Sequence, residues 1–350
     1  MAIIFSHDTA LEILRAIPPQ AKLTKPFAGE VPMGGDGITT DFGELAHVDP
    51  AAFGARSRPV HVLVGKGQRR SQAREVISHE FGEGRVPFPL LWGFSQASGS
   101  SRHGIYFCSP EAVFVQLSRT ADLVSAVCLG FELCGAYSHF APPVSGFYER
   151  PPLTTGDRIF MGLEWFRGSR GLGRSQEALS LVCEGSRSPM ETLVACELAF
   201  PDDLGGFGFE NPKLNYEVAL DAVSAGLAGS RRCYIDIAWP DAKVGIEYNG
   251  REYHLDHARD RKRVEALEHM GWSIRTVEAR DLADPRRLEA VVRTLRGKVP
   301  ERNGTVPQRA SRTQRAALHA ELLGATRSGL GLEAALFAAG VPHGIATLHV

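Results

Sequence analysis

A mixed α/β chain with more than one domain is predicted, and three observations carry the prediction. Apolar and polar residues alternate at VHVLV (60–64), RCYIDIAW (232–239) and KVGIEYN (243–249), the period-2 pattern of half-buried strands. Capped helical stretches stand among them, as at Ser109-Pro110-Glu111 and Ser188-Pro189-Met190-Glu191. The 350 residues suffice for two domains or one large one, with ample chain for a buried core.

Taken in order, Ser6–Ile17 reads as a short helix with Ser6 or Asp8 as cap and Ala10, Leu11 and Leu14 inward. Residues 26–58 are rich in Gly, Pro and Asp and carry few periodic signals. Val60–Val64 is a strand, with Glu75–His79 its expected hairpin partner across a basic turn holding Lys66, Arg69, Arg70 and Arg74. His61 alternates with valines and reads as a structural histidine. Ile105–Phe107 is a further short strand, followed by a helix from Ser109 and another over Asp122–Cys134 that stops at Gly135. The Pro- and Gly-containing segment 138–157 reads as a linker, and Asp157–Phe166 and Arg174–Val182 as helices. Asn215–Leu220 and Trp272–Val277 are expected strands, and Pro285–Leu295 a covering helix. Two Ala/Leu-rich helical stretches, Thr313–Leu323 and Leu332–Ala339, follow as a tail.

Composition narrows the classes. Apolar content of 43% and charged content of 23% are those of an ordinary globular protein. The formal net charge of −1 leaves no global basic field, so any nucleic-acid contact must be local. The six cysteines lack CxxC pairs or zinc-type spacing and read as reduced core residues. MAIIFSHDTA has no basic n-region and no long apolar core, and no apolar run approaches the ~18 residues of a membrane span. A cytoplasmic protein without membrane partners is the expectation.

Chemistry concentrates in Arg231–Arg263. Cys233, Ile235, Ile237 and Trp239 share one face of the first arm, and Tyr234, Asp236 and Ala238 the other. Pro240-Asp241 supplies turn chemistry, and Asn249-Gly250 ends the second arm. A turn of two or four residues puts Asp236 and Glu247 on the same face, opposite or diagonal. Two carboxylates that close repel each other, and a hard divalent cation with oxygen ligands offsets the cost. Solvated acids on an exposed hairpin are the plainer alternative.

The run YIDIAWP…KVGIEYNG..YH.....D..R...L...GW.I resembles the restriction-endonuclease-like superfamily with its PD-(D/E)XK signature. It is most similar to the branch related to very-short-patch-repair endonucleases, over roughly residues 175–298. The resemblance implies an αβββαβ core, magnesium or manganese, and hydrolysis of nucleic-acid phosphodiesters, DNA first, in a defence or repair setting. It makes Asp236 the central acid, Glu247 the acid of the (D/E)XK element and Glu191 the acid of the first core helix, all three metal ligands. Asn249 stands where the signature carries Lys. Glu191 also fits a capping box, and the two roles are compatible. His254, just past the Gly turn, is a candidate for phosphate contact or proton transfer or else a surface histidine. Arg263, three residues after Asp260 on a helix running to Met270, is by the resemblance a candidate for phosphate contact or for pinning that helix to the sheet, with Asn249 as a second contact to nucleic acid, or it forms a surface pair. Lys243, four residues before Glu247 on the same strand face, is the first candidate to replace the missing lysine, with Lys262 second. A solvated turn lysine is the alternative.

The N-terminal half distantly resembles the core of AbiEi-type antitoxin and transcriptional-regulator proteins, through SHDTAL, VHVLV with the following Arg pair, and SPEAVFVQLSR. The expected organisation is an α+β domain over residues 1–148, a helical connector over 149–185, an endonuclease-like domain over 186–298 and a helical tail over 299–350. A second reading keeps the nuclease fold without its activity, as a nucleic-acid- or protein-binding module of an antitoxin-like regulator. A toxin or defence-system partner belongs to that reading.

Overall fold

The computed structural model describes residues 2–17, 40–67, 74–81, 91–93, 104–140, 146–249, 257–282, 285–302 and 309–327. His254, the expected second tail helix 332–339, and Arg69 and Arg70 of the basic turn lie outside them. The chain is mixed α/β and divides into two compact units. Unit 1 contains Met1–Leu133 and Ser138–Ser180, and unit 2 contains Cys134–Tyr137 and Leu181–Thr326.

In unit 1 the elements are β1 (Ala2–Phe5), α1 (His7–Ala16), α2 (Phe42–Leu45), β2 (Val60–Gly65), β3 (Val76–Phe81), β4 (Leu91–Gly93) and β5 (Gly104–Cys108). Helices α3 (Pro110–Ser118) and α4 (Leu123–Cys134), strands β6 (Tyr137–His139) and β7 (Phe147–Glu149), and helices α5 (Gly156–Leu163) and α6 (Leu172–Ser180) follow. The sheet order is β3-β2-β1-β5-β4. Its central strand, AIIF, is an apolar run of four residues and is too short to show a period. The predicted hairpin of β2 and β3 is instead a parallel pair, with His61 beside Ile77 and Leu63 beside His79. Parallel strands need a crossover, which a tight turn cannot supply.

Ala10, Leu11 and Leu14 of α1 are buried, as its periodicity predicts. Ser109 caps α3 by accepting the Ala112 N–H at 3.4 Å. Helices α5 and α6, expected as a connector, pack within unit 1. Glu111 accepts from Thr154 Oγ1 at 2.5 Å and from Arg158 Nε at 3.0 Å, and Ser118 Oγ donates to Ser175 Oγ at 2.7 Å. One further buried acid, Glu132, is fully partnered. Arg15 donates through Nε at 2.9 Å and Nη2 at 2.7 Å, and the His139 N–H and Ser138 hydroxyl complete its shell at 3.1 and 3.3 Å.

Unit 2 contributes α7 (Pro189–Ala199), β8 (Lys213–Ala219), α8 (Ala222–Ala228), β9 (Arg232–Trp239), β10 (Val244–Asn249), α9 (His257–His269), β11 (Ser273–Glu278), α10 (Ala279–Leu282), α11 (Pro285–Leu295) and α12 (Arg312–Arg327). The sheet runs β11-β10-β9-β8, antiparallel except for the parallel pair β10–β11. Leu267 and Trp272 pack with Cys233, Ile235 and Ile274 over it. Gly245 is glycine for a steric reason: a Cβ there would lie 2.6 Å from Ile235 Cγ2 and 2.9 Å from Ile274 Cδ1. The first expected tail helix, α12, is part of unit 2. Arg315 stacks on Phe207 at 4.4 Å, and His319 Nδ1 lies 2.6 Å from Glu197 Oε1. All six cysteines are free and five are buried. No described helix is long and apolar enough to cross a membrane.

Candidate metal centre

The hairpin of β9 and β10 sets the geometry. Four residues, Pro240–Lys243, connect Trp239 to its partner Val244, and Ile246 faces Ile237. That register brings Glu247 opposite Asp236. On the other side of β9, Leu214 faces Ile237 and Tyr216 faces Ile235, so Asn215 also stands opposite Asp236. Asn215, Asp236 and Glu247 thus form a row across three strands. Asn215 has a left-handed backbone (φ 46°), which interrupts the ladder beside Asp236.

Glu191 joins the row from the first turn of α7. The Ser188 hydroxyl and the Glu191 N–H bond at 3.1 Å, the cap predicted from SPME. Glu191 Oε2 accepts the Arg187 N–H at 2.8 Å, reaching one residue further back than a simple capping box. The same oxygen accepts from Asn215 Nδ2 at 3.1 Å, while Asn215 Nδ2 also donates to the Gly185 carbonyl at 2.7 Å. Asn215 therefore ties α7 to the sheet at the site. Sequence reasoning missed it, since an isolated Asn inside a strand pattern carries no metal-site signal.

Asp236 Oδ2 accepts the Tyr248 N–H at 2.8 Å, which holds the carboxylate across the hairpin. Arg263, from the second turn of α9, places Nη2 at 3.0 and 3.2 Å from the two oxygens of Glu247 and at 2.9 Å from the Tyr234 carbonyl. Of the roles expected of Arg263, the guanidinium takes that of pinning the helix to the sheet and not the surface pair with Asp260: it faces the half-buried Glu247.

The three acids perturb one another. Burial, and then the charge of Asp236, push Glu191 up to about 7 and Glu247 up to about 8. Burial also raises Asp236, against the Tyr248 N–H and the charges of Arg263 and Arg187. Arg263 is raised in turn, because Glu247 and Asp236 outweigh its own burial. A carboxylate cluster with too little cationic compensation holds protons that a divalent cation would displace. Its donors are all carboxylate oxygens, which suits magnesium or manganese and not a soft metal.

Lys243 sits apart from this cluster. It has φ 48° at the end of the turn, and its ammonium donates to the Met270 carbonyl at 2.9 Å, at the C-terminal end of α9. Glu247 lies four residues along the strand, about 13 Å at ~3.3 Å per residue. The reach toward the acids expected of Lys243 is therefore not the one it makes, because the helix end offers the ammonium an unsatisfied carbonyl and a negative dipole. Asn249 closes β10 beside Glu278 of β11, partly exposed.

The chain is similar to two uncharacterised proteins from two strains of Mycobacterium tuberculosis, each 30% identical over 128 residues. The match covers 35% of this chain and 42% of each of those proteins, so the chain spans less than half their length. No family model matches, and no solved structure matches.

Proposed function

We propose that unit 2 is a restriction-endonuclease-like domain that hydrolyses phosphodiester bonds in nucleic acid, DNA first, with magnesium or manganese. The observation that carries this reading is the placement of Glu191, Asp236 and Glu247, three half-buried carboxylates from a helix and two strands, in one row with Asn215, with the Arg263 guanidinium on Glu247. The order α7, β8, β9, β10, α9, β11 supports it as an αβββαβ arrangement, with the short α8 inserted between β8 and β9.

The fit to a hard divalent cation rests on the donor set. Carboxyls held in the protonated form near neutral pH, by burial first and by the charge of Asp236 second, would serve as ligands where a cation took the protons' place. When bound, that cation would supply charge neutralisation at the phosphate and an acidified water. The chain's own residues do the rest. Asn215 and the α7 cap orient Glu191, and the Tyr248 N–H orients Asp236. Arg263 holds Glu247 and would offer its guanidinium to the phosphate as the nearby cation that the signature's lysine usually provides, a role we assign to Arg263 and not to Lys243.

A second reading draws on Asn249 in the lysine position and on the tethered Lys243: an inactive nuclease fold that binds nucleic acid or a protein partner, as in an antitoxin-like regulator. Plasmid nicking by purified full-length protein separates the two. Cleavage that needs magnesium or manganese and vanishes in Glu247→Gln supports the nuclease. Absence of cleavage, with identical melting in metal and in chelator and a retained gel shift on DNA, supports the binding module.

A further inference from the structure

Unit 1 gathers three histidines that are far apart in sequence. His61 of β2 and His79 of β3 lie on one face of the parallel pair, one diagonal step apart, because His79 faces Leu63. His7 opens α1 directly above them, since the Ser6 N–H donates to the His61 carbonyl at 2.9 Å. His61 Nδ1 is 2.8 Å from His79 Nε2. The His7 ring stacks on that of His79 with centroids 3.6 Å apart. One nitrogen from each of the three rings falls within 4.8 Å of the others. The fully alternating environment predicted for His61 accounts for its strand position but not for this convergence.

We propose that His7, His61 and His79 form a binding site for a first-row divalent transition metal, zinc being the reference ion. Imidazole nitrogen suits zinc, cobalt and nickel, whereas magnesium takes oxygen ligands. Tetrahedral bonds of about 2.0–2.1 Å put ligand nitrogens roughly 3.3 Å apart. The His61–His79 nitrogens stand closer than that value and the three rings lie within 34° of parallel, so loading requires that contact to open by about half an ångström and the rings to turn their in-plane lone pairs toward one point.

The outer groups fit the same assignment. His7 Nδ1 lies 3.0 Å from the Ser6 hydroxyl, leaving Nε2 for the metal. His61 Nε2 lies 4.0 Å from the exposed Asp8 carboxylate, an ion-pair distance without a hydrogen bond, leaving Nδ1. A ligating histidine whose second nitrogen is hydrogen-bonded, as that of His7 is, is the usual outer arrangement of such sites. The backbones are fixed as well: the His7 N–H donates to Gln116 Oε1 at 3.0 Å and the His61 N–H to Thr9 Oγ1 at 2.9 Å. Arg119 opposes a cation here, since its charge helps lower His7 and His79. Burial and the neighbouring rings lower both further, His79 to about 4, so the rings carry lone pairs at neutral pH. All three residues are partly exposed, which leaves a fourth position open to water.

The test uses untagged, chelator-stripped full-length protein in excess magnesium, so that the carboxylate cluster is occupied. Zinc is titrated in competition with a chromophoric chelator, and cobalt by its visible absorption. The expected result is one tight equivalent, weakened by about a hundredfold or more in both His61→Gln and His79→Gln, beyond the ~10–100-fold of an outer-partner loss. Asp236→Asn/Glu247→Gln protein should bind the same equivalent, which keeps this outcome separate from the nuclease reading. Circular dichroism confirms that the glutamine variants fold. Absence of stoichiometric binding in the wild type, or equal binding by both folded glutamine variants, overturns the site.

Discussion

Glu132, buried in unit 1, and Glu247, half-buried in unit 2, are both paired with an arginine, and they titrate in opposite directions. Burial raises both. At Glu132 the bidentate Arg15, the His139 N–H and the Ser138 hydroxyl overcome it and hold the carboxyl down at about 2. At Glu247 the Arg263 guanidinium is divided between the carboxylate and the Tyr234 carbonyl, Asp236 adds repulsion, and the carboxyl rises to about 8. A structural acid is compensated completely by its own chain. An acid left under-compensated beside two others is the arrangement expected where a ligand supplies the missing charge.

The comparison breaks most visibly at Glu132. Arg15→Met removes its cation while leaving the acid buried, and should destabilise unit 1 by about 3–5 kcal/mol, the cost of stranding one partner of a buried pair. Chemical denaturation checks it. A loss under 1 kcal/mol would mean that Glu132 is no more dependent on its partner than a surface acid.

The reverse holds in unit 2. Glu247→Gln or Asp236→Asn relieves repulsion, so melting in chelator should be unchanged or raised. Cleavage should fall about a hundredfold or more, and stabilisation by magnesium should disappear. A variant that melts lower in chelator and still cleaves would return these acids to a purely structural role.

The signs of the shifts predict opposite pH responses. Glu247 has its folded value raised from 4.5 to about 8, so without metal its contribution is complete below about 4.5 and is lost as pH rises through 8. Glu132 is lowered from 4.5 to about 2, so its contribution is complete above 4.5 and is lost as pH falls toward 2. Hydrogen exchange that resolves the two units should therefore show unit 2 loosening between pH 5 and 8 in chelator, while unit 1, whose His7 and His79 are lowered, tightens up to about pH 6.5 and then stays level. Magnesium should remove the slope in unit 2 and release protons on binding. Parallel slopes in both units would contradict the contrast.

Much of the candidate site was legible because a hairpin obeys a period of two. Asp236 and Glu247 fall on one face by counting alone, and the four-residue turn brings them opposite. Glu191 was legible as a cap, since Ser-Pro-Met-Glu predicts the first turn of a helix whatever its second role. Arg263 was placed on the right helix, and pinning that helix to the sheet was among its expected roles; which strand residue it meets was not legible, because sequence spacing shows i,i+3 neighbours and not a strand across the sheet. Asn215 and the three histidines were not legible as site residues. Their meaning depends on strand register and on a parallel pairing of β2 and β3 that a basic turn disguises as a hairpin. The central strand β1 was missed for its brevity, as four apolar residues show no period.

Lys243 gives the smallest expected effect and tests the geometry of the hairpin most directly. Sequence spacing places it on the strand face of Glu247, and the structure ends that face at the turn, where a φ of 48° redirects the side chain to the Met270 carbonyl at 2.9 Å. The bond satisfies one of the last carbonyls of the α9 segment and sets a cation at the negative end of the helix. Exposure limits its worth to roughly 0.5–1 kcal/mol. Lys243→Ala should thus lower stability by about that amount, with cleavage and its metal dependence unchanged. Lys243→Arg, which keeps the charge and a donor, should recover most of it. Arg263→Met should behave differently, with weakened cleavage and little dependence on the state of the α9 end. If Lys243→Ala instead cuts cleavage about a hundredfold while Arg263→Met leaves it intact, the ammonium leaves Met270 when substrate binds. The cation of the site would then be the lysine.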